Sequence, residues 1–311
     1  MGYPIEKKLV VAVSSTALFD FSEEDRIFLT QGLDAFRAHQ ETMKDLPPNP
    51  GAAFPFIRRL LHLNRTLDGL DGNPVEVVLL SRNHPDAGLR VMNAISHYGL
   101  DITRAFFLAG EAPYPYMKSV NSVLYLSTDR LEVKEAVSKG YPAGHVLPCS
   151  VVDTDDLDDT TFRIAFDFDG VIVDDEAEEV YADGGLPLFH HYEKENRERP
   201  LNSGPLFPLL QGIATLQKME ELRLDTVNSS AKRIRVAIVT ARNAPAHERL
   251  ITTLKNYEID TDELFLTGGI DKKNILDVLQ PHIFFDDQLG HLEPSSDDIP
   301  CVHIPFGIRN S

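Results

Sequence analysis

The chain has 311 residues, 25% of them charged, and a formal net charge of −18 at pH 7. This length exceeds that of an average single hydrophobic core, so we expect two domains, residues 1–150 and 151–311. The acidic balance argues against nucleic acid or an anionic membrane as a partner, because both attract cationic surfaces. An anionic substrate must therefore be attracted by local charge, from lysines, helix N-termini or a metal ion.

Cysteine usage and hydropathy indicate the cellular compartment. Cys149 and Cys301 lack C-x-x-C spacing, so reduced thiols in a cytoplasmic protein are the default. No apolar run approaches the length of a membrane span, and the N-terminus lacks the hydroxyl residue of a myristoylation signal. We expect a soluble, cytoplasmic protein with no membrane or nucleic-acid partner. Homo-oligomerisation stays open.

The first half alternates predicted strands with predicted helices. The strands are at residues 8–13, 75–80, 105–108 and 123–126, and the helices start at Ser22 and span 54–64, 88–98 and 131–139. This alternation predicts an α/β fold with a largely parallel sheet and helices on both faces. The acidic stretch 154–161 is interpreted as the linker to the second half.

The second half continues the alternation. Strands are predicted at residues 163–166, 235–239, 264–266, 282–285 and 302–304, and helices at 209–222, at 245–257 and after Asp271. Residues 181–208 form an insert between the first two of these strands. The insert is rich in glycine, proline, histidine and charge and has weak periodicity, which by itself is typical of a surface loop.

Two carboxylates, Asp167 and Asp169, directly follow the strand 163–166, and Gly170 follows them. Residues two apart on an extended chain point to the same side, so both carboxylates can face the crevice at the carboxyl end of a parallel sheet. An ordinary acidic turn is the alternative. An EF-hand calcium loop is set aside, because valine and isoleucine stand where that loop needs an oxygen ligand and a glycine.

Three further polar groups follow in order along the chain. Each ends a predicted strand or begins a predicted helix: Thr240, the lysines Lys272 and Lys273, and the pair Asp286-Asp287. Together with the first two aspartates, these groups resemble the four signatures of the haloacid dehalogenase (HAD) superfamily of phosphohydrolases. The resemblance implies a HAD-like (Rossmannoid) catalytic domain at 151–311, with a small cap formed by the insert at about 181–208.

The same resemblance implies Mg²⁺, a hard cation that bridges carboxylates and phosphate oxygens. The implied metal ligands are Asp167, the backbone carbonyl of Asp169, and Asp287, with Asp286 as a further ligand or a neighbouring acceptor. Asp167 is the implied nucleophile, which forms an aspartyl-phosphate. Asp169 is the implied general acid and base.

The phosphate is expected to bind at the end of the predicted strand 235–239. The Thr240 hydroxyl and the backbone N–H groups of Ala241 and Arg242 can donate hydrogen bonds to phosphate oxygens. Lys272 is expected to add a permanent positive charge, and Lys273 is the alternative for that role.

Four stretches resemble the cytosolic 5′-nucleotidase I family over nearly the full chain: residues 10–20, 77–83, 99–105 and 281–288. Members of that family dephosphorylate nucleoside 5′-monophosphates, notably AMP, with magnesium. The family has Lys-Gly where this chain has Lys272-Lys273. A phosphatase for another small phosphorylated metabolite and a non-catalytic nucleotide-binding regulator are the alternatives. If the insert selects the base, Phe189, Tyr192 and Phe207 are candidates to stack on it.

The first half is interpreted as a degenerate HAD-like copy of the second. Residues 11–16 align with 164–169, residues 78–83 with 238–243, and residues 124–128 with 283–287. Neutral residues replace the acidic and lysine signatures, so the copy is not expected to hold magnesium. Two unrelated domains with similar apolar patterns are the alternative. A true copy predicts two similar sheets with the same strand order.

Overall fold

The protein is described by a computed structural model covering residues 3–43, 46–67, 72–150, 156, 159–227 and 232–310. Its strands are β1 Leu9–Val13, β2 Val75–Ser81, β3 Arg104–Phe107, β4 Leu124–Ser127, β5 Ala143–Val146, β6 Phe162–Phe166, β7 Ile234–Thr240, β8 Glu263–Leu266, β9 Ile283–Asp286 and β10 Cys301–His303. Its α-helices are α1 Ser15–Leu18, α2 Ser22–Met43, α3 Phe54–Thr66, α4 Pro85–His97, α5 Arg130–Ser138, α6 Glu176–Glu195, α7 Phe207–Val227, α8 His247–Asn256, α9 Lys272–Leu279 and α10 Leu289–Leu292.

All ten strands form one sheet in the order β3-β2-β1-β4-β5-β10-β9-β6-β7-β8. The pairing of β5 with β10 is antiparallel, and the other strand pairs are parallel. The predicted α/β fold with a largely parallel sheet is confirmed. Because the two halves meet through an antiparallel pair, the carboxyl ends of their strands lie at opposite edges of the sheet.

The strand order is the same within each half, as a copy requires. From its outer edge the first half runs β3-β2-β1-β4-β5, and the second half runs β8-β7-β6-β9-β10. The halves do not form two separate sheets, however, because their inner edge strands pair, with Val302 opposite Val146. The sequence did not predict β5, which has little apolar alternation. Its Gly144 allows this close approach, since a Cβ there would overlap Val302.

Backbone hydrogen bonds fix how the two halves correspond. Asp167 N donates to the carbonyl of β9 at 2.7 Å, and Ser14 N donates to that of β4 at 2.8 Å. The carbonyls of Thr240 and Ser81 each accept a hydrogen bond from the residue that follows the neighbouring strand, both at 2.9 Å. Ser81 therefore corresponds to Thr240, and the predicted alignment of 78–83 with 238–243 was wrong by one residue.

Helices cover both faces of the sheet. On one face a single apolar core spans both halves and includes side chains of α3, α4, α7 and α8. Phe56 of α3 joins the halves there, with its ring 5.7 Å from that of Phe162 and 6.3 Å from that of Phe285. On the other face each half has its own cluster. No helix in the described ranges is both long and apolar enough to cross a membrane.

The long helix α6 begins before the insert 181–208 and extends into it, and the sequence did not predict this helix. Gly185 interrupts the helix with φ 66° and ψ −165°, and Pro187 follows it. The break rotates the second part of the helix relative to the first, so no single periodicity runs through the segment. In the expected linker 154–161, residues 154, 155, 157 and 158 lie outside the described part. The carbonyls of Asp156 and Thr161 accept hydrogen bonds from Arg59 of α3.

His282, just before β9, is buried and neutral. Its Nδ1 accepts a hydrogen bond from Arg163 N at 2.9 Å, and burial together with the charges of Arg59 and Arg163 lowers its pKa to about 3. An unfolded histidine titrates near ~6.5. Between these values the unfolded state binds more protons, so stability falls as the pH falls from about 6.5 toward 3.

We expect His282→Asn to weaken this pH dependence, because the amide oxygen can accept the same hydrogen bond but does not titrate. The slope of the unfolding free energy should decrease by up to about 1.4 kcal/mol per pH unit below pH 6.5. Urea denaturation at pH 7.5, 6 and 5 measures it. If the unfolding free energies of the two proteins changed equally with pH, His282 would not be the source of the pH dependence.

Candidate active site

Four predicted site residues meet at the carboxyl edge of the second half. Asp167 directly follows β6, Thr240 ends β7, Asp286 ends β9, and Lys272 is the first residue of α9. All four are buried. The carboxyl ends of adjacent parallel strands meet at one edge, which brings together residues more than 100 positions apart.

Lys272 lies between two carboxylates. Its Nζ is 2.7 Å from Asp167 Oδ2 and 2.6 Å from Asp286 Oδ2. Burial opposes its charge, but the two carboxylates raise the pKa of Lys272 above its ordinary value. Lys273 instead lies at the surface, with its Nζ 3.0 Å from Asp277 and 2.9 Å from Asp298. The structure therefore places Lys272, not Lys273, at the site.

Asp286 has partners for both of its carboxylate oxygens. Besides Lys272, it accepts a hydrogen bond from Gln288 N at 2.8 Å and lies 3.2 Å from His291 Nδ1. Burial alone would raise the pKa of Asp286, but the Lys272 charge and the contact with His291 lower it. Asp286 is thus held as an ionised acceptor for the lysine.

Asp287 differs from its neighbour. It is buried, and among the described residues neither of its carboxylate oxygens has a hydrogen-bond partner. Burial and the charge of Asp167 raise the pKa of Asp287 to about 9. The backbone of Gly170 leaves room for this carboxylate, since a Cβ on Gly170 would lie 2.9 Å from Asp287 Cγ. A buried carboxylate without a partner is destabilising unless a cation binds it.

Asp167 is also buried, and its Oδ1 accepts a hydrogen bond from Phe168 N at 2.6 Å. Burial raises the pKa of Asp167 to about 7, against the opposing charge of Lys272. Within the described residues, ligand atoms of Asp167, Asp286 and His291 lie within 4.8 Å of one another. The carboxylate oxygens of Asp167 and Asp286, together with the unpartnered oxygens of Asp287, are hard donors that suit a divalent cation such as Mg²⁺.

Asp169 is paired with an arginine. Arg242 donates from Nε and Nη2 to the two carboxylate oxygens of Asp169, both at 2.7 Å. The backbone N–H of Arg242 donates to Thr240 Oγ1 at 3.2 Å. This N–H was expected to bind phosphate, but here it holds the threonine hydroxyl. Ala241 lines the cavity beside the site.

That cavity, of about 340 Å³, lies between α6 and the strand ends. The lining residues from α6 are Ala177, Glu178, Tyr181, Leu186 and Phe189. The other lining residues are Asp169, Ala241, Arg242, Asn243, Gly268, Gly269, Gln288, His291 and Arg309. The sequence did not single out Glu178, Tyr181, His291 or Arg309. His291 was detectable only as a polar residue five positions after Asp286, and the other three carried no readable signal.

Comparison with known proteins identifies the family of the chain. A model of the family described as 5′-nucleotidase matches residues 1–311. The chain belongs to the 5′-nucleotidase family. Human cytosolic 5′-nucleotidase 1B is 32% identical over 291 residues, which cover 92% of this chain and 47% of the human protein. The chain therefore spans about half the length of that relative. No solved structure matches the chain significantly.

We expect Asp287→Asn to stabilise this 5′-nucleotidase family member in the presence of a chelator. The folded-state pKa of Asp287 lies above that of an unfolded carboxyl, so its contribution is favourable below about pH 4 and is lost as the pH rises toward 9. The amide of the variant does not ionise, so the variant does not lose this stability as the pH rises. The melting temperature at pH 8 with EDTA should rise by at least about 2 °C, which corresponds to roughly 1 kcal/mol for a chain of this size.

Asp286→Asn is the matched control. It removes a carboxylate that is paired with Lys272, and breaking a buried ion pair costs about 3–5 kcal/mol. Its melting temperature should therefore fall. If both variants change the melting temperature in the same direction, the inferred difference in pairing between Asp286 and Asp287 is wrong.

Proposed function

We propose that the chain is a magnesium-dependent phosphoric monoester hydrolase that releases phosphate from nucleoside 5′-monophosphates such as AMP. The observation that carries the proposal is the buried Lys272, which is shared by Asp167 and Asp286. A cavity of about 340 Å³ lies next to this cluster, because its lining includes Asp169 and also His291, which contacts Asp286. A buried cation beside a carboxylate nucleophile is what a phosphate monoester requires, because its own negative charge is its main protection against attack.

We propose that the second half, residues 151–311, is a HAD-like catalytic domain with α6 as its cap. The strand order and the position of the site at the carboxyl ends of β6, β7 and β9 support this. We also propose that residues 1–150 are a degenerate copy. At the corresponding positions this half has hydroxyl side chains: Ser14 for Asp167, Thr16 for Asp169, Ser81 for Thr240, Ser127 for Asp286 and Thr128 for Asp287.

The proposed reaction has two steps. Asp167 attacks phosphorus while Asp169 gives a proton to the departing 5′-oxygen of the nucleoside, and water then cleaves the aspartyl-phosphate with Asp169 accepting its proton. The Lys272 charge stabilises the phosphoryl oxygens and keeps Asp167 oriented. Thr240, whose hydroxyl accepts a hydrogen bond from Arg242 N, can turn its own hydroxyl hydrogen toward a phosphate oxygen.

Mg²⁺, when bound, would neutralise phosphate charge at this site. We propose Asp167, the backbone carbonyl of Asp169, and Asp287 as its ligands. The orphaned oxygens of Asp287 support this choice over Asp286, whose oxygens already have Lys272, Gln288 N and His291 as partners. Asp286 then acts as the neighbouring acceptor that holds the lysine.

The nucleoside is proposed to bind against α6. Of the three aromatic residues considered for base stacking, only Phe189 lines the cavity. Tyr192 donates its hydroxyl to Glu176 at 2.6 Å, and Phe207 packs on Tyr257 with ring centroids 4.5 Å apart. Tyr181 lines the cavity with 44% of its surface exposed, so it is available to a base.

Phosphate release from a panel of nucleoside monophosphates and sugar phosphates, with Mg²⁺ or with EDTA, tests the proposal. We expect turnover of AMP-like compounds with Mg²⁺ and loss with EDTA. Asp167→Asn, which is nearly isosteric, should lower turnover by several orders of magnitude while the far-ultraviolet circular dichroism is unchanged. Lys273→Ala is the control and should retain activity. A sugar phosphate as the preferred substrate would favour a phosphatase for another metabolite, and tight nucleotide binding without turnover would favour a regulator.

We expect Tyr181→Ala to raise KM for AMP about tenfold, since stacking on a base is worth ~1–3 kcal/mol, and to leave hydrolysis of a minimal aryl phosphate unchanged. Tyr116→Ala is the matched control: this tyrosine is 42% exposed and lies in the first half, away from the cavity lining. An equal change on both substrates would argue against a nucleoside contact at Tyr181.

A cytoplasmic location is proposed as well. It is supported by the word cytosolic in the name of the human relative and by the absence of a span-forming helix among the described residues.

A further inference from the structure

The Arg242 side chain is almost fully buried, with 3% of its surface exposed, and it binds two acids at once. On one side it holds both carboxylate oxygens of Asp169 at 2.7 Å. On the other side its Nη1 donates to Glu193, which is fully buried near the end of α6. The guanidinium therefore links the loop after β6 to the helix that covers the site.

The chain of charges continues through α8. Glu193 Oε1 accepts a hydrogen bond from Arg249 Nη1 at 2.9 Å, and Arg249 Nη2 donates to Glu176 at 3.0 Å. Glu176 and Glu193 stand at the two ends of α6. Both ends of this helix are thus fixed to Arg249, and its second end is also fixed to Arg242.

Buried charges are tolerated only when each has a complete set of partners. Replacing one member leaves the others uncompensated, so such a network strongly favours a single arrangement of its side chains. A bidentate arginine–carboxylate pair also fixes the plane of the carboxylate, which one hydrogen bond does not. Asp169 is accordingly held in one orientation, and Glu193 determines where Arg242 lies.

Arg242 also contacts the wall of the cavity. Its guanidinium carbon lies 5.3 Å from the ring centroid of Phe168 and 5.6 Å from that of Phe189. Phe168 separates the two aspartates in sequence, and Phe189 is the α6 residue beside the proposed nucleoside position. The position of α6 is therefore coupled to the orientation of Asp169 by contacts of one side chain.

We propose that Arg242, held in place by Glu193, is a positioning residue that orients the Asp169 carboxylate for proton transfer, so that this step requires the docked helix α6. The inference rests on the proposed phosphohydrolase function. Glu193 is not part of the cavity lining and has no exposed surface. Of its two arginine partners, Arg242 is the one that also holds Asp169, so we expect its effect on Asp169 to pass through Arg242.

Proton transfer can be separated from the other steps by the choice of leaving group. In the first step the bond between phosphorus and the leaving oxygen breaks, a bond to Asp167 forms, and the leaving oxygen takes the proton of Asp169. A nucleoside alkoxide needs this proton, whereas a nitrophenolate leaves without one. A defect in positioning Asp169 should therefore lower turnover of AMP much more than turnover of p-nitrophenyl phosphate.

The experiment measures kcat and KM of Glu193→Gln on both substrates with Mg²⁺. We expect kcat on AMP to fall about 100-fold, the lower range for general acid–base catalysis, with less than a fivefold fall on p-nitrophenyl phosphate and little change in KM. Arg242→Lys should show the same selectivity, because an ammonium cannot form the bidentate pair. Arg235→Lys, on the exposed side of β7 and paired with Glu263, is the matched control and should retain both activities.

Equal losses on the two substrates would overturn the inference, because a structural defect does not distinguish leaving groups. Unchanged activity of folded Glu193→Gln would also overturn it. If the wild-type protein turns over neither substrate, the proposed function fails instead. A crystal structure of Glu193→Gln then decides the inference separately: a displaced Asp169 carboxylate supports positioning, and an unmoved one refutes it. If Glu193→Gln does not fold, the position of the Asp169 carboxylate in a crystal structure of Arg242→Lys provides the same test.

Discussion

The candidate site depends on one buried ammonium group. Lys272 lies within 2.7 Å of carboxylates on two different strands, and the pairing fixes the relative positions of β6, β9 and the start of α9. The arrangement is stable only as a set, because removal of one partner leaves a buried charge uncompensated. A side chain held in this way is already in place for the phosphate group of the proposed substrate.

The second cation, Arg242, organises the other side of the same edge. It neutralises Asp169 and joins it to Glu193 and, through Arg249, to both ends of α6. In a chain with net charge −18, these internal cations allow several carboxylates to lie together. Asp287 is the exception, since its oxygens have no partner within the described residues. When Asp167, Asp286 and Asp287 are all ionised, their three negative charges face the single positive charge of Lys272, and a divalent cation would supply the two positive charges that are missing.

The two halves contribute differently to this arrangement. They share a strand order and one apolar core, yet the antiparallel pairing of β5 with β10 directs the carboxyl ends of their strands to opposite edges. The edge of the first half carries neutral hydroxyl groups, such as Ser15 and Ser81, which lie 2.9 Å apart and satisfy one another. The first half therefore widens the sheet and contributes to the apolar core that it shares with the second half.

The sequence alone was sufficient for the α/β alternation and for the polar residues at the strand ends. Both follow from local rules, because apolar runs form buried strands and polar groups stand where such runs end. It was also sufficient for the resemblance that proved to be membership of the 5′-nucleotidase family. Tertiary structure decided which of two adjacent residues is paired at the candidate site. Lys272 and Lys273, or Asp286 and Asp287, are equivalent as sequence. Only the direction of each side chain from its helix or strand pairs Lys272 with Asp286 and leaves Asp287 without a partner among the described residues. The helix α6, the pairing of β5 with β10 and the ion pair of Arg242 with Glu193 could likewise not be predicted from the sequence, because each depends on contacts between residues far apart in the chain.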